Sequence, residues 1–174
     1  MKPLAFLLAV VIALIPLPAW ASWTNFTVVD EWGEEIPVPG ARSALTAPTR
    51  SLHMFDEDLK AELHVVGCDR AWVHFTEVPY LTGEEFENNQ KTYSIKARAN
   101  GKEVTESMIA GLFSEDLSWK SLDAARIKGW ANEESYGILI PLQWSGDKVW
   151  KFDMTGAQAA IVKTCPSAAN WDQS

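Results

Sequence analysis

The residues of this chain best suited to chemistry are its two cysteines, Cys68 and Cys165. A thiol can act as a nucleophile, bind a metal ion or form a disulfide. A metal site needs more ligands than two thiols, and neither cysteine lies in a Cys-x-x-Cys motif. A catalytic thiol could be activated by His64 or His74, which lie near Cys68 in the sequence. The first residues, however, indicate an exported protein, and a free thiol is disfavoured in an oxidising compartment. We therefore predict one disulfide between Cys68 and Cys165.

The histidines are the next candidates, as metal ligands. If His64 faces His74 across a hairpin, the two imidazoles could hold a metal ion with a third ligand from His53, Asp69 or Glu77. The spacing of the histidines is not that of a zinc site, and histidines on a half-buried sheet more often face solvent. We predict neither a metal nor another cofactor.

Acidic residues are the third group that could do chemistry. Glu84, Glu85 and Glu87 could form a paired-carboxylate site for acid and base catalysis, but a charged loop beside two asparagines is more often simply solvated. The chain has no nucleophile motif of the G-x-S-x-G type. We therefore expect a protein that is not an enzyme.

The same acidic segment, residues 79–91, also contains apolar side chains. Loops carry binding residues more often than core elements do, so we predict an exposed loop that contacts a protein partner. The candidate contact residues are Tyr80, Leu81, Glu84, Glu85 and Phe86.

The first 21 residues, MKPLAFLLAVVIALIPLPAWA, have the parts of a secretory signal peptide. Lys2 precedes an apolar run over residues 4–14, and the segment ends in the small-x-small pattern Ala-Trp-Ala. We predict cleavage before Ser22 and a single β-rich domain over residues 22–174 in the periplasm. A membrane anchor is the alternative, but the run is shorter than the roughly 20 apolar residues that span a bilayer.

The charge of the chain limits its partners. Its net charge is −8, so it has no electrostatic attraction for nucleic acid or for anionic lipid. We expect another protein as its partner and no membrane insertion once the signal peptide is removed.

The elements that must position these residues are mostly short strands. Residues 24–32 (TNFTVVDEW) have strand composition, and the proline-rich residues 33–51 predict an irregular loop. Residues 61–78 alternate on both sides of Gly67-Cys68-Asp69-Arg70, which predicts a hairpin. Asn100-Gly101 predicts a second hairpin turn.

Two further segments are shorter. Residues 114–125 (SEDLSWKSLDAA) predict a short helix or turn with Ser114 as its N-cap. Residues 125–131 (ARIKGWA) predict a strand.

The clearest hairpin is YGILIPLQWSGDKVWKFDM, residues 136–154. A turn at Gly146-Asp147-Lys148 would place six apolar side chains on one buried face, by pairing Ile140 with Met154, Leu142 with Phe152 and Trp144 with Trp150. This register predicts that Trp144→Asp is severely destabilising, since it would bury an unpaired charge.

A short helix follows this hairpin. Thr155 and Gln158 predict a capping box, and Ile161 and Cys165 share one helical stripe. The helix is therefore expected to pack on the sheet through Ile161, with Cys165 bonded to the hairpin tip at Cys68.

Three segments resemble the VasI/TagO family of periplasmic accessory proteins that occur with type VI secretion systems. They are LHVVGCDRAWVHFTEVPYLTG, YSIKARANGKEVTES and YGILIPLQWSGDKVWKFDMTGAQAAIVKTC. The residues that match the family's closing motif are Phe152, Asp153, Met154, Gly156, Ala160 and Cys165, and Cys68 matches its first cysteine. Gly67 departs from the family, which usually has arginine there.

The predicted fold is mainly β, either sandwich-like or α+β, with antiparallel hairpins, a short C-terminal helix and one disulfide. The resemblance implies a non-enzymatic periplasmic protein that assists a cell-envelope machine, such as a secretion apparatus. The alternative is a periplasmic immunity or inhibitor protein, which would be small, acidic and exported and would block a partner enzyme.

Overall fold

The computed structural model describes residues 22–29, 34–49, 59–82, 85–87, 90–99, 101–111 and 113–167. The predicted signal peptide lies outside these residues. Within them the chain forms ten strands and two helices. The strands are β1 (Trp23–Val29), β2 (Glu35–Ser43), β3 (Ala61–Val66), β4 (Arg70–Phe75), β5 (Glu85–Glu87), β6 (Gln90–Ala99), β7 (Lys102–Gly111), β8 (Asp116–Trp119), β9 (Ser135–Leu142) and β10 (Gly146–Asp153), and the helices are α1 (Ala124–Ala131) and α2 (Ala157–Thr164).

The strands form one antiparallel sheet, which confirms the mainly β prediction. Their order across the sheet is β1-β2-β3-β4-β8-β7-β6-β9-β10, and β5 pairs with β6. The first and last strands approach each other, as is shown by a hydrogen bond of 2.9 Å from the Trp23 indole to the Asp153 carbonyl. The sheet therefore curls around its apolar face.

The core lies inside this curl and is built from alternating residues of the strands. In β9 every second residue is buried, from Tyr136 to Leu142, as expected for a strand with one face on the core. Phe75 and Trp150 meet edge to face with their ring centroids 5.4 Å apart, a favoured aromatic geometry. Both side chains are fully buried.

The first correction concerns β2, which the prolines led us to predict as an irregular loop. The strand forms because its register with β1 shifts between Thr27 and Val28, which leaves two extra residues, Pro37 and Val38, as a bulge. β3 pairs only with residues 40–42 of β2, so no proline is required to donate into that ladder.

The second correction concerns residues 114–131, where the predicted helix and strand are exchanged. Residues 116–119 form β8, in which Leu117 and Trp119 point into the core. The helix α1 begins later, because the Asp123 carboxylate accepts a hydrogen bond from the Arg126 backbone N–H over 2.8 Å and caps it. Ser114 accepts a hydrogen bond from the Asp116 N–H in a turn and caps no helix.

The third correction concerns the register of the β9–β10 hairpin. Leu142 pairs with Gly146, so the turn consists of residues 143–145 and the predicted turn is wrong. Gly146 has a φ of 70°, which glycine adopts without strain. Trp144 lies in the turn and is 70% exposed, whereas Lys148, which the prediction placed in the turn, is buried opposite Ile140. Lysine is rarely buried, which explains the error.

The β3–β4 hairpin is also displaced by two residues from the predicted pairing. His64 faces Trp72, and His74 faces Glu62. A shift of two keeps each side chain on its face of the sheet, so Leu63 and Val73 remain in the core as predicted.

The β6–β7 hairpin confirms the Asn-Gly prediction. Ala99 pairs with Lys102, so the two strands are joined by a tight connection in which Gly101 has a φ of 73°; Asn100 lies outside the described residues.

The C-terminal helix and the disulfide are confirmed. Cys68 at the β3–β4 tip bonds to Cys165 at the end of α2, with 4.9 Å between their Cα atoms. Ile161 is buried against the sheet. The predicted capping box is wrong, because the N-cap is Gly156, whose residue type offers no capping side chain.

Within the described part of the chain, none of the helices is both long and apolar enough to span a bilayer.

Candidate protein-binding surface

Three exposed aromatic side chains lie near one end of the sheet. Tyr80 is 50% exposed, Trp144 is 70% exposed and Phe113 is 78% exposed. Large aromatic side chains usually contribute to a core or an interface, because they bury more apolar area than other residues. We call these three residues the aromatic surface.

Three connections that follow strands β4, β7 and β9 carry these side chains. The segment that holds Tyr80 is fixed to the end of β9, because the Tyr80 carbonyl accepts a hydrogen bond from the Gln143 N–H over 2.7 Å. Thr82 likewise donates to the Pro141 carbonyl over 3.0 Å. The Tyr80 and Trp144 rings are 4.6 Å apart, so the two connections present their aromatic groups together.

Phe113 has a backbone conformation that a bulky residue rarely adopts. Its φ is 60°, the only positive φ at a non-glycine residue in the part of the chain described. Such a conformation costs about 1–3 kcal/mol and would be less strained with glycine or asparagine. The fold therefore holds an exposed phenylalanine at a cost to its own stability, as is found at functional sites.

A cavity of about 190 Å³ lies between Tyr80 and Phe113. Tyr93, Ala110 and Lys91 also line it. This volume is below the about 300–1,000 Å³ of typical small-molecule pockets, so it suits a single side chain better than a whole metabolite.

Exposed carboxylates accompany each aromatic residue. Glu77 precedes Tyr80, Glu115 follows Phe113 and Asp147 follows Trp144, each within three positions, and all three are exposed. Among the described residues these three carboxylates have no ion-pair partner within 4.0 Å. The surface therefore combines apolar rings with uncompensated negative charge.

The predicted contact residues are only partly brought together. Tyr80 is exposed on the aromatic surface, and Leu81 is half-buried through a bridge to Leu142. Glu85 and Phe86 lie in β5, not in a loop. Glu84 lies outside the described residues.

Sequence reasoning missed Trp144 and Phe113. Both stand beside turn-forming residues, Ser145-Gly146 and Ser114, and an aromatic residue at a turn is a signal that could have identified them.

The two histidines belong to an aromatic row on the other face of β3 and β4. His64 lies 5.3 Å from Trp72, 5.2 Å from Phe26 and 5.5 Å from His74 between ring centroids. Its Nε2 is 2.9 Å from a Glu62 carboxylate oxygen. Burial lowers the pKa of His64 and outweighs the hydrogen bond to Glu62, so the ring is neutral at pH 7.

The third ligand that a metal site would need is not assembled in the described part of the chain. No group of three or more His, Cys, Asp or Glu side chains there could hold a metal ion. Asp69 lies beside Arg70 at 4.0 Å, and His53 is outside the described residues.

Glu106 forms a second buried polar cluster, which includes Arg126 from the first turn of α1. Its carboxylate accepts hydrogen bonds from the Trp119 indole over 3.2 Å and the Tyr136 hydroxyl over 3.3 Å, and it pairs with the Arg126 guanidinium. Burial, with the Glu106 charge second, raises the pKa of Tyr136, so this hydroxyl stays protonated and acts as a donor. The polar groups of this cluster are paired with one another, and these pairs join α1 to the sheet.

A shallow groove of about 800 Å³ crosses β6, β9 and β10. Lys96 and Arg98 line it, but both lie against Glu103, at 3.4 and 3.9 Å. Glu134 and Lys151 also line the groove, so its charges are of both signs, whereas the exposed carboxylates near the aromatic surface in the chain are all negative.

The chain was compared with protein-family models, curated proteins and solved structures, and no match was found.

Proposed function

We propose that this chain is a non-enzymatic periplasmic protein that binds another envelope protein through the aromatic surface. The observation that carries the proposal is the strained, exposed Phe113 near the contacting pair of Tyr80 and Trp144. Exposed aromatic residues are enriched at protein interfaces and supply much of the binding energy there.

The cellular role we propose is that of an accessory factor for a secretion apparatus, which follows from the resemblance to VasI/TagO proteins. The disulfide supports an oxidising compartment, because disulfides persist there and are rare in the cytosol. The sequence of the first 21 residues supports export into the periplasm with cleavage before Ser22.

The second candidate function is that of an immunity or inhibitor protein. The exposed carboxylates Glu77, Glu115 and Asp147, each within three positions of an exposed aromatic residue, favour it, since they complement a cationic enzyme. If the gene beside it encodes a toxin, and that toxin is blocked by the purified protein, this candidate replaces the accessory role.

Site-specific cross-linking in living cells tests the binding proposal. A photoreactive phenylalanine analogue at position 144 should give a defined cross-linked protein, whereas the same analogue at position 104, exposed near the far end of β7, should not. Tyr80→Ala should reduce the adduct from position 144. An equal yield of the same product from positions 144 and 104 would contradict the proposed surface.

Export is tested separately by sequencing the N-terminus of protein from a periplasmic extract. We expect the mature chain to begin at Ser22. A chain in the membrane fraction that still begins at Met1 would contradict the proposed location.

A further inference from the structure

We infer that the aromatic surface binds a basic segment of its partner that carries one apolar anchor residue. The inference rests on the proposed function and specifies the chemistry of the partner. The observations behind it are the exposed rings of Tyr80, Phe113 and Trp144, the cavity that Tyr80 and Phe113 line, and the exposed carboxylates within three positions of these residues.

The cavity indicates the anchor. Its volume of about 190 Å³ is lined by apolar and aromatic residues, including Tyr80, Tyr93 and Phe113, and by the polar residues Lys91, Ser114 and Gln143. An apolar side chain would therefore meet apolar groups over part of its surface. Among the described residues that line it, Lys91 is the single cation, and it already interacts with another group of the chain. A buried aromatic or aliphatic anchor in a small pocket is the usual centre of a protein interface.

The carboxylates indicate the flanking charge. Glu77, Glu115 and Asp147 are exposed and lie within three positions of Tyr80, Phe113 and Trp144 in the chain, and none of them forms an ion pair with a described residue. Complementary lysines or arginines would steer the partner toward the surface and fix its orientation.

The same charges argue against two other occupants. A second copy of the chain would bring carboxylates against carboxylates, and the chain as a whole has a net charge of −8. An anionic membrane surface attracts basic segments, so it would repel this end of the molecule.

Synthetic peptides provide the probe. We would measure binding by fluorescence anisotropy for a labelled 12-residue peptide of lysines around a central Phe, for its glutamate counterpart, and for the lysine peptide with Ser in place of Phe. Only the first should bind well, and its affinity should fall as salt is raised from 50 to 300 mM. Equal binding of the lysine and glutamate peptides would overturn the inference, and so would full binding of the Ser peptide.

Charge-matched variants locate the contact. The triple variant Glu77→Gln, Glu115→Gln, Asp147→Asn should weaken binding about tenfold, because three exposed ion pairs are lost. The control Glu35→Gln, Asp69→Asn, Glu134→Gln removes the same charge from exposed residues elsewhere and should leave affinity unchanged. An equal loss in both variants would show a nonspecific charge effect and overturn the inference.

The aromatic residues separate this inference from the proposed function. If Tyr80→Ala and Trp144→Ala abolish cross-linking to the cellular partner while the lysine peptide does not bind, the function stands and the inference fails. If neither substitution affects cross-linking, the proposed function fails. Concentration-dependent dimers in sedimentation, or binding to phosphatidylglycerol vesicles, that are lost with Trp144→Ala would assign the surface to a second copy or to lipid instead.

Discussion

At the scale of single residues, two tryptophans of one hairpin have opposite environments. Trp150 is fully buried and donates a hydrogen bond from its indole to the Leu59 carbonyl over 3.3 Å. Trp144 is 70% exposed, and its ring centroid lies 4.6 Å from that of Tyr80. The same residue type therefore supports the core at one position and is available for binding at the other.

Substitution of these tryptophans should separate stability from binding. Trp150→Ala should lower the free energy of unfolding by about 3–5 kcal/mol, because it leaves a cavity in the core. Trp144→Asp should change it by about 1 kcal/mol or less, since Trp144 loses only one exposed ring contact. Urea melts of both variants would measure this, and a loss of several kcal/mol in Trp144→Asp would restore the hairpin register predicted from the sequence.

His64 makes stability depend on pH. Its Nδ1 is buried with no hydrogen-bond partner among the described residues, and His74, Glu62 and Arg42 are the ionisable groups around it. Because its folded pKa lies below its unfolded value of about 6.5, the unfolded chain binds the proton more readily. Its contribution is complete well above pH 6.5 and is lost as pH falls through the folded pKa.

We therefore expect urea midpoints of the parent protein to fall between pH 7.5 and 5.5. The variant His64→Gln can still donate a hydrogen bond to Glu62 but does not titrate, so its midpoints should fall less over the same range. Asp153 also has a lowered pKa, caused first by its hydrogen bond from the Thr155 N–H, but an aspartate affects stability at lower pH. Parallel profiles for the parent and variant would contradict the role given to His64.

At the scale of elements, periodicity predicted the faces of strands better than their partners. Leu142, Trp150 and Phe152 were placed on the core face and are there, since an even shift in register does not move a side chain to the other face. The register itself was missed because it depends on buried Lys148, which no local rule favours.

The exchanged elements at residues 114–131 have a similar cause. Leu117 and Trp119 fit a helix or a strand, and pairing of β8 with β4 and β7 decided between them. The aromatic surface was missed for a related reason, because its members are far apart in sequence and meet only through the turns of the folded sheet.

The Glu106 cluster yields a prediction for α1. Glu106 is 2% exposed and the Arg126 side chain is 39% exposed. Arg126→Met should cost about 2–4 kcal/mol, less than the about 3–5 kcal/mol of a fully buried pair, because Glu106 would lose its cation while solvent already screens part of the interaction.

Glu106→Gln is the matched control for that prediction. The amide oxygen of Gln can still accept from the Trp119 indole, and its NH2 group can donate to the Tyr136 hydroxyl oxygen. Arg126 can turn toward solvent, so the cost should be smaller. Denaturant melts would compare the two variants, and a larger loss for Glu106→Gln would contradict the assignment of the Arg126→Met cost to an unpaired buried charge.

At the scale of the whole molecule, one covalent bond joins the β3–β4 tip to the end of α2. Cys68 and Cys165 are separated by 97 positions. Closing a loop of this length restricts the unfolded chain and stabilises the fold by about 4–5 kcal/mol in the chain-entropy model. Cys68 precedes β4 and Tyr80 follows it, so the disulfide joins the end of this strand opposite to the one that leads to the aromatic surface, and stability and binding should separate.

The double variant Cys68→Ser, Cys165→Ser should therefore lose about 4–5 kcal/mol of stability and keep its cross-link from position 144 under conditions where it is folded. Denaturant melts and a thiol titration of the parent would test this. Free thiols in freshly isolated parent protein, or loss of binding with little loss of stability, would contradict a structural role.

The same bond determines how the molecule would respond to a pulling force. Tension applied at the two ends of the domain would pass from Cys68 directly to Cys165, so the segment between them, residues 69–164, would carry no load. In the oxidised protein, the extension measured on pulling would not include this segment, which is about 330 Å long when fully extended. A reductant would release the segment as one additional step in the extension. A protein attached to a moving envelope assembly would in this way keep strands β4 to β10 folded while its first strands yielded.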